Sequence, residues 1–411
     1  MTVTDDARPD RRTAARHRVR AVRTAVSART GALSGYGWVV LGSTLAALVV
    51  GRRYGWEELV VAGCVLTVAF VVAVLMTVGR SSYAVDLDLA DERVTVGQRA
   101  VGTLVVRNDG RRRLLPAQIE LPVGAGSASF ALPSMGPGAV HEEIFAIPTA
   151  RRAVVEVGPV RSVRGDPLGI ARREMRWTDP VELYVHPSTV SLAGTRAGVL
   201  RDLEGQATRT VSDNDMSFHA LREYVPGDDR RNIHWRTSAR TGTLMVRQFE
   251  DTRRTHTALA LATERPDYAD DDEFELAVST FASIGVQVIR DALEITAITG
   301  ASTVRSRTPR VLLDDCAGVA LAPKAPDARA LAHSVARLAP TATLALMVTG
   351  SVPSHSELRA SAVHIPAGTR AVFVACEPGA EIALRTQGTL SVATLGDITE
   401  LPRLLRRLVA Q

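Results

Sequence analysis

The sequence predicts a membrane-anchored chain of mixed class: a two-helix transmembrane hairpin, then an antiparallel β-sandwich, then an α/β domain with a parallel sheet. Three observations predict this arrangement. Two apolar segments near the N-terminus are each about 20 residues long, which suits a bilayer. Apolar residues then alternate with period two, and beyond residue 255 uniformly apolar strands alternate with helices. The 411 residues allow two or three folded domains.

Positive charge is concentrated in residues 1–30, the predicted basic cytoplasmic tail. The chain has 49 Lys and Arg against 44 Asp and Glu, a formal net charge of +5. The tail contains eight Arg and three Asp, so the other 381 residues carry 41 basic and 41 acidic side chains. A protein that coats polyanions is therefore not predicted, and no nucleic-acid partner is expected.

Residues 31–79 form the predicted transmembrane hairpin, with spans at about 32–51 and 59–79. A soluble helix does not need to be apolar on every face over such a length. Arginine is abundant before the first span and balanced by glutamate in the connecting loop, so the positive-inside rule places both termini in the cytoplasm. We expect a two-pass protein of the cell membrane, in contact with the lipid bilayer.

Residues 80–190 read as short strands separated by Gly and Pro, which is typical of an antiparallel sandwich of immunoglobulin-like shape. Asn108-Asp109-Gly110 is a turn signal between two apolar runs. Arg164-Gly165-Asp166 also reads as a turn. No catalytic pattern is present in this segment, so a spacer or partner-binding role is expected.

Two composition facts exclude further classes of protein. Lys324 is the only lysine and has no glycine-rich loop before it, so the chain has no Walker A motif and is not itself a P-loop ATPase. Cys64, Cys316 and Cys376 are far apart in sequence, which predicts neither a zinc site nor a disulfide framework.

The densest group of polar residues lies in a signature segment that we place at residues 191–254. Five arginines lie close in sequence to the turn Pro226-Gly227-Asp228-Asp229. Residues 201–254 contain ten Arg and nine acidic residues, so the region is nearly neutral. This balance favours an internally paired structure or a polar docking surface over a phosphate-binding site.

These residues resemble the signature of the domain of unknown function 58 (DUF 58) family, Arg-x-Tyr-x-x-Gly-Asp-Asp-x-Arg-x-Ile-His-Trp-x-x-Ser-Ala-Arg-x-Gly-x-Leu. The candidate interaction residues on this pattern are Arg222, Tyr224, Gly227, Asp228, Asp229, Arg231, His234, Trp235, Ser238, Arg240 and Gly242. The order of spans, β segment, motif and α/β region agrees with this family, so the resemblance extends over most of the chain.

The resemblance implies a membrane-anchored protein whose residues 255–411 are similar to a von Willebrand factor A domain, with a Rossmann-like sheet. It also implies an association with a MoxR-type AAA+ ATPase, which we expect as the protein partner. The family has no established enzymatic activity, so the resemblance predicts architecture rather than a reaction.

The residues of this last region are consistent with such a domain. Apolar strands are predicted at residues 257–262, 295–299, 343–348 and 372–375, separated by helices at 270–293, 327–338, 354–360 and 398–409. The acidic run Asp270–Glu273 is expected to cap the first of these helices, because negative charge is favourable at a helix N-terminus.

A von Willebrand factor A domain holds Mg²⁺ through Asp-x-Ser-x-Ser after its first strand. Here the corresponding residues are Ala262-Thr263-Glu264-Arg265-Pro266. Glu264 is the candidate metal ligand that remains, and Arg265 is expected to compete for its carboxylate. One carboxylate rarely holds Mg²⁺ without help, so no metal and no cofactor are predicted.

Asp228, His234 and Ser238 supply the residue types of a hydrolytic triad, but Ser238 lacks a nucleophile-elbow context. We therefore predict a non-catalytic adaptor or assembly protein that works with the AAA+ ATPase. Two alternatives remain open: a metal-dependent or hydrolytic enzyme using Asp228 and His234 or Glu264, and a binder of anionic ligands or nucleic acid through the arginine cluster.

Overall fold

The computed structural model describes residues 35–77, 83–114, 116–165, 170, 172–192, 211–212, 217–250, 256–323, 327–388 and 390–410. They fall into two compact units. The first holds the N-terminal helices and most of the β-rich region up to residue 183. The second holds residues from 184 onward together with two short segments, 93–98 and 149–154. The predicted basic tail, residues 193–210 of the signature segment and part of the Arg164–Asp166 turn lie outside the described residues.

Two apolar helices open the first unit, α1 (Gly35–Tyr54) and α2 (Glu57–Thr77). Both are long and apolar enough to cross a membrane. Glu57 and Glu58 lie in the first turn of α2, where negative charge is favourable, and so this helix begins earlier than residue 59. In the most apolar window of each helix only 22% and 11% of the residues are buried within the chain.

The two helices pack closely at Gly63. A Cβ atom placed on Gly63 would lie 2.7 Å from both Cγ and Cδ2 of Leu48 on α1. Gly42, also on α1, has no atom within 4 Å of the same position. Small residues let helix backbones approach in this way, so Gly63 is a packing position and Gly42 is not.

The β-rich region is antiparallel in all but one of its described strand pairs. Its strands are β1 (Tyr83–Leu89), β2 (Arg93–Thr95), β3 (Ala100–Asn108), β4 (Ala117–Val123), β5 (Gly126–Leu132), β6 (Val140–Ile147), β7 (Ala153–Val157), β8 (Arg161–Gly165), β9 (Arg172–Arg176) and β10 (Val181–His186). In the first unit one sheet has the order β1-β3-β6. In another sheet β4 pairs with β5, β7 and β8, and β8 pairs with β9. The exception lies in the second unit, where β2 runs parallel to residues 184–186 of β10.

The predicted turn at Asn108 is present, but it connects the two sheets rather than two neighbouring strands. Asn108 ends β3 and is fully buried. Its side-chain Nδ2 donates to the backbone carbonyls of Arg112, Met135 and Gly136, and its side-chain Oδ1 accepts from the Gly110 amide. These bonds satisfy the polar groups of a buried crossing, because a buried amide needs partners.

Beyond the β-rich region, the second unit contains β11 (Val211–Ser212), β12 (Ser217–Glu223), α3 (Trp235–Thr241) and β13 (Met245–Glu250), and β13 pairs with both β11 and β12. The strands that follow are β14 (His256–Leu261), β15 (Glu294–Thr299), β16 (Ser302–Val304), β17 (Leu344–Gly350), β18 (Arg370–Cys376), β19 (Ala383–Gln387) and β20 (Leu390–Leu395). The helices are α4 (Asp271–Arg290), α5 (Pro309–Gly318), α6 (Ala328–Leu338), α7 (His355–Ala362) and α8 (Leu401–Val409).

These elements form a mixed α/β sheet in the order β16-β15-β14-β17-β18-β20-β19. The five central strands are parallel, and every residue of β14 and β17 is buried. Apolar runs predicted four of these strands, whereas β20 was not predicted. The antiparallel edge strands β16 and β19 were not predicted. The strand order reverses between β14 and β17, and ligands of such sheets bind where their carboxyl ends diverge.

Candidate functional site

Most of the signature residues named above lie in an insertion between two paired strands. β12 and β13 are antiparallel, and the chain between them forms a turn, a short 3₁₀-helix at Arg230–Asn232 and helix α3. The backbone amide of Tyr224 donates to the Leu244 carbonyl at 2.8 Å, which closes the base of the insertion. Ile233 is buried and bridges to Val246 on β13.

Arg222 and Asp228 hold the turn. Two nitrogen atoms of the Arg222 guanidinium donate to the two oxygens of the Asp228 carboxylate, at 2.6 and 2.7 Å. The amide of Val225 donates to the same carboxylate at 2.9 Å. These donors favour the charged carboxylate, Arg222 more than Val225, and hold the pKa of Asp228 below its ordinary value. The paired charges therefore stabilise one geometry of the turn.

Asp229 and His234 each begin a helical element. The Asp229 carboxylate accepts from the amide of Arg231 at 2.9 Å and caps the 3₁₀-helix. The His234 Nδ1 accepts from the Thr237 amide at 3.2 Å and caps α3. The amide of His234 donates to the Met245 carbonyl at 2.8 Å, so the cap is also tied to β13.

Ser238 joins the helix to the sheet. Its buried hydroxyl donates to the His234 carbonyl at 3.2 Å and accepts from the Met245 amide at 2.8 Å. Gly242 then ends α3 with φ at 74°, and Gly227 in the preceding turn has φ at 118°. Residues that carry a Cβ atom disfavour such positive φ angles, which explains why both positions are glycine.

The three residue types of a hydrolytic triad are present, but their side chains are not hydrogen-bonded to one another within the described residues. Asp228 contacts Arg222 and Val225, and His234 contacts Thr237. Ser238 contacts the backbone of His234 rather than its ring. Each polar side chain thus maintains the shape of the insertion.

A second group of residues in the insertion faces outward, of which Trp235, Ala239 and Arg240 belong to the signature and Arg236 does not. Trp235 is 66% exposed, and Arg236, Ala239 and Arg240 are exposed beside it. At 3.6 residues per turn these four positions fall within an arc of about 140° of α3, opposite the buried Ser238. We call them the exposed face of α3.

The near-neutral charge count of this region conceals an uneven distribution. The carboxylates of Asp228 and Asp229 accept hydrogen bonds within the insertion. By contrast, these exposed arginines make no ion pair or side-chain hydrogen bond within the described residues: Arg230, Arg231, Arg236, Arg240 and Arg247. The sequence count therefore predicted a neutral region, whereas the described surface of the insertion is positively charged.

The carboxylate of Glu273 lies at the carboxyl edge of the α/β sheet, where it accepts hydrogen bonds from two loops. Glu273, 3% exposed in the first turn of α4, accepts from the Ala269 amide at 2.9 Å and from the Ser351 amide at 3.2 Å. The Ser351 hydroxyl donates to its other oxygen at 2.6 Å. Glu273 thereby joins the loop after β14 to the loop after β17, a role that the sequence did not suggest. Asp270 caps α4, as expected, by accepting from the Glu273 amide at 2.8 Å.

Asp267 lies at the same edge and is 7% exposed, with one carboxylate oxygen lacking a partner within the described residues. Burial first, and then the charges of Glu264, Asp327 and Glu357, raise its pKa to about 7. Among the described residues, no group of three or more His, Cys, Asp or Glu is placed to hold a metal ion. Arg265, expected to compete for Glu264, instead donates to the carbonyl of Tyr268 at 3.0 Å.

Comparison with solved structures gives several likenesses of low similarity. The CARDB domain of the PF1109 protein from Pyrococcus furiosus is 11% identical, with 26% of this chain and 88% of that chain covered and a TM-score of 0.20. The C-terminal domain of wzt is 12% identical, with 27% and 78% covered and a TM-score of 0.21. Likenesses at this level carry no argument about function.

No curated protein matches the chain. Residues 220–311 match the family described as "Protein of unknown function DUF58". The matched region begins inside β12, includes the whole insertion and continues through β14, α4, β15 and β16 into α5. The chain therefore carries a DUF58 family domain at residues 220–311.

Proposed function

We propose that this chain is a non-catalytic, membrane-anchored adaptor or assembly protein that works with a MoxR-type AAA+ ATPase. The observation that carries the proposal is that some signature residues stabilise the insertion while others are exposed to solvent. Asp228, His234 and Ser238 maintain the insertion, while Trp235 and Arg240 face solvent. Exposed tryptophan and arginine are typical of residues that anchor protein interfaces.

The membrane anchor is α1 and α2. Their low internal burial supports this, because a core helix of a soluble protein is mostly covered by its own chain. The close approach at Gly63 suits a pair of membrane helices. With the arginine-rich tail on the cytoplasmic side, both termini, the β-rich region and the α/β region belong in the cytoplasm.

The α/β region serves as a von Willebrand factor A-like domain in this proposal. If the antiparallel edge strand β19 is left out, the other six strands numbered in chain order follow the doubly wound order 3-2-1-4-5-6, in which the third strand, β16, is also antiparallel. The β-rich region serves as an immunoglobulin-like spacer. Glu273 already joins the loops where a ligand of such a sheet binds, which favours a binding role that is metal-independent.

The test is co-purification of the full-length chain, in lipid nanodiscs, with the AAA+ ATPase encoded nearest to it. We expect a complex that Trp235→Ser weakens, because an exposed aromatic anchor is lost. Val352→Ser is the matched control, since Val352 is an exposed apolar residue elsewhere on the chain. Absence of a complex with the unaltered chain, in both the ATP and the ADP state, would contradict the proposal.

A further inference from the structure

We infer that the exposed face of α3 binds an acidic segment of a partner protein, one that carries carboxylates together with an apolar side chain. This inference rests on the proposed adaptor function and deepens it, because it assigns the chemistry of the partner. The occupant is a polypeptide segment, since the face combines positive charge with apolar surface.

The face is held in one conformation before any partner arrives. Helix α3 is capped by His234, ended by Gly242 and joined to β13 by Ser238. A face that is ordered in advance loses little conformational entropy on binding. The outward residues are therefore presented on a rigid support rather than on a flexible loop.

The charge of the face calls for a carboxylate partner. Arg236 and Arg240 are four residues apart and lie on one side of α3, and neither has a partner within the described residues. Arginine forks bind carboxylates in a bidentate manner, as Arg222 does with Asp228 in this same insertion. Among the described residues, the insertion's own carboxylates at positions 228 and 229 bond to Arg222 and to backbone amides rather than to Arg236 or Arg240, which leaves these two guanidinium groups open to the carboxylates of a partner.

The apolar part of the face favours a protein over a phosphate polymer. Trp235 is 66% exposed, and at the base of the insertion Val225 and Leu244 are 57% and 45% exposed. Nucleic acid is bound mainly through phosphates, which make no use of aliphatic side chains. An acidic peptide with a leucine or similar residue uses both kinds of surface.

Fluorescence anisotropy tests this, with the full-length chain in nanodiscs of neutral phosphatidylcholine. The probe is a short fluorescein-labelled peptide of Glu and Leu, and its control has Gln in place of Glu. We expect the acidic probe to bind, and the double substitution Arg236→Gln/Arg240→Gln to weaken binding about tenfold or more. The matched double substitution Arg310→Gln/Arg359→Gln removes two exposed arginines from α5 and α7 and should change binding less than about twofold.

Two results would overturn the inference. One is binding of the acidic probe that the Arg236 and Arg240 substitutions leave unchanged. The other is tighter binding to phosphatidylglycerol vesicles or to a single-stranded oligonucleotide, lost in the same variant, which would assign the face to lipid or nucleic acid. The probe contains no ATPase, so these results are separate from those that contradict the ATPase complex.

Discussion

The guanidinium of Arg222 donates one hydrogen bond to each carboxylate oxygen of Asp228, across a turn that also contains Val225 and Gly227. Lysine has no fork that could repeat this bidentate contact. We expect Arg222→Lys to loosen the insertion and to increase amide hydrogen exchange between residues 223 and 244. Arg247→Lys, on the exposed surface of β13, is the control and should leave exchange unchanged.

The same contact predicts a pH dependence. The pKa of Asp228 is depressed in the folded chain, so its stabilising effect is complete above the unfolded value of about 3.9 and is lost as the pH falls through the folded pKa. We expect protection of the insertion to fall at acid pH in the unaltered chain and to change less in Asp228→Asn. Equal acid sensitivity of the two proteins would show that Asp228 does not hold the turn.

Arg152 is predicted to be a main stabilising residue of the second unit. Its side chain is 4% exposed, donates to the carbonyls of Cys316 and Val319 near the end of α5, and lies 5.0 Å above the ring of Phe274. Its Nε also approaches Glu275 at 3.0 Å, as an ion contact rather than an aligned hydrogen bond.

We expect Arg152→Ala to lower the free energy of unfolding of this unit by about 3 kcal/mol, because Glu275 and the α5 carbonyls lose their partner. Hydrogen exchange of α4 and α5 measures the loss. The neighbouring Arg151 is 64% exposed, and Arg151→Ala should cost less than about 0.5 kcal/mol. Similar effects for the two substitutions would be inconsistent with this assignment.

Asp267 predicts the opposite pH dependence from Asp228. Its pKa is raised to about 7, so between about pH 4 and 7 the folded chain holds a proton that the unfolded chain has released. Stability contributed by this group falls as the pH rises through that range. At pH 8, Asp267→Asn should increase the free energy of unfolding by at most about 4 kcal/mol and raise the thermal midpoint accordingly. At pH 4 it should have little effect. Asp272→Asn, at an exposed position, should retain the pH dependence of the unaltered chain.

Two glycines of the apolar helices should respond to the same substitution with opposite signs. Alanine generally stabilises a helix relative to glycine by up to about 1 kcal/mol, so Gly42→Ala is expected to be neutral or favourable. Gly63→Ala should be destabilising, because its new methyl group meets Leu48 at 2.7 Å. Resistance of the helices to SDS, followed by circular dichroism, distinguishes these outcomes.

The parts of the fold that could be predicted are those in which local pattern and burial agree. Strands β14 and β17 are apolar throughout because both of their faces are covered, and α4 begins where Asp270 caps it. The edge strand β19, in which four of the five residues are exposed, carries no such pattern. Helix α5 was also missed, although Thr308-Pro309 is an N-cap followed by a proline in the first turn and could have located it.

The residues of the candidate site could be predicted from the sequence, but the charge of its exposed surface could not. Composition counts a carboxylate equally whether it faces solvent or caps a helix. Asp228 and Asp229 are bonded within the insertion because of turn geometry, which only the folded chain reveals. The exposed face of α3 is consequently more basic than a count over residues 201–254 suggests.

The pairing of Ser217 with Glu250 places side by side the two ends of a segment that comprises β12, the insertion and β13. Partners in an antiparallel pair lie about 5 Å apart, so the chain leaves and re-enters at neighbouring points. A two-residue Asn-Gly link could close that gap after excision of the residues between them. The segment that contains the family signature could thus be deleted from its own chain, or transplanted into an exposed hairpin of an unrelated protein.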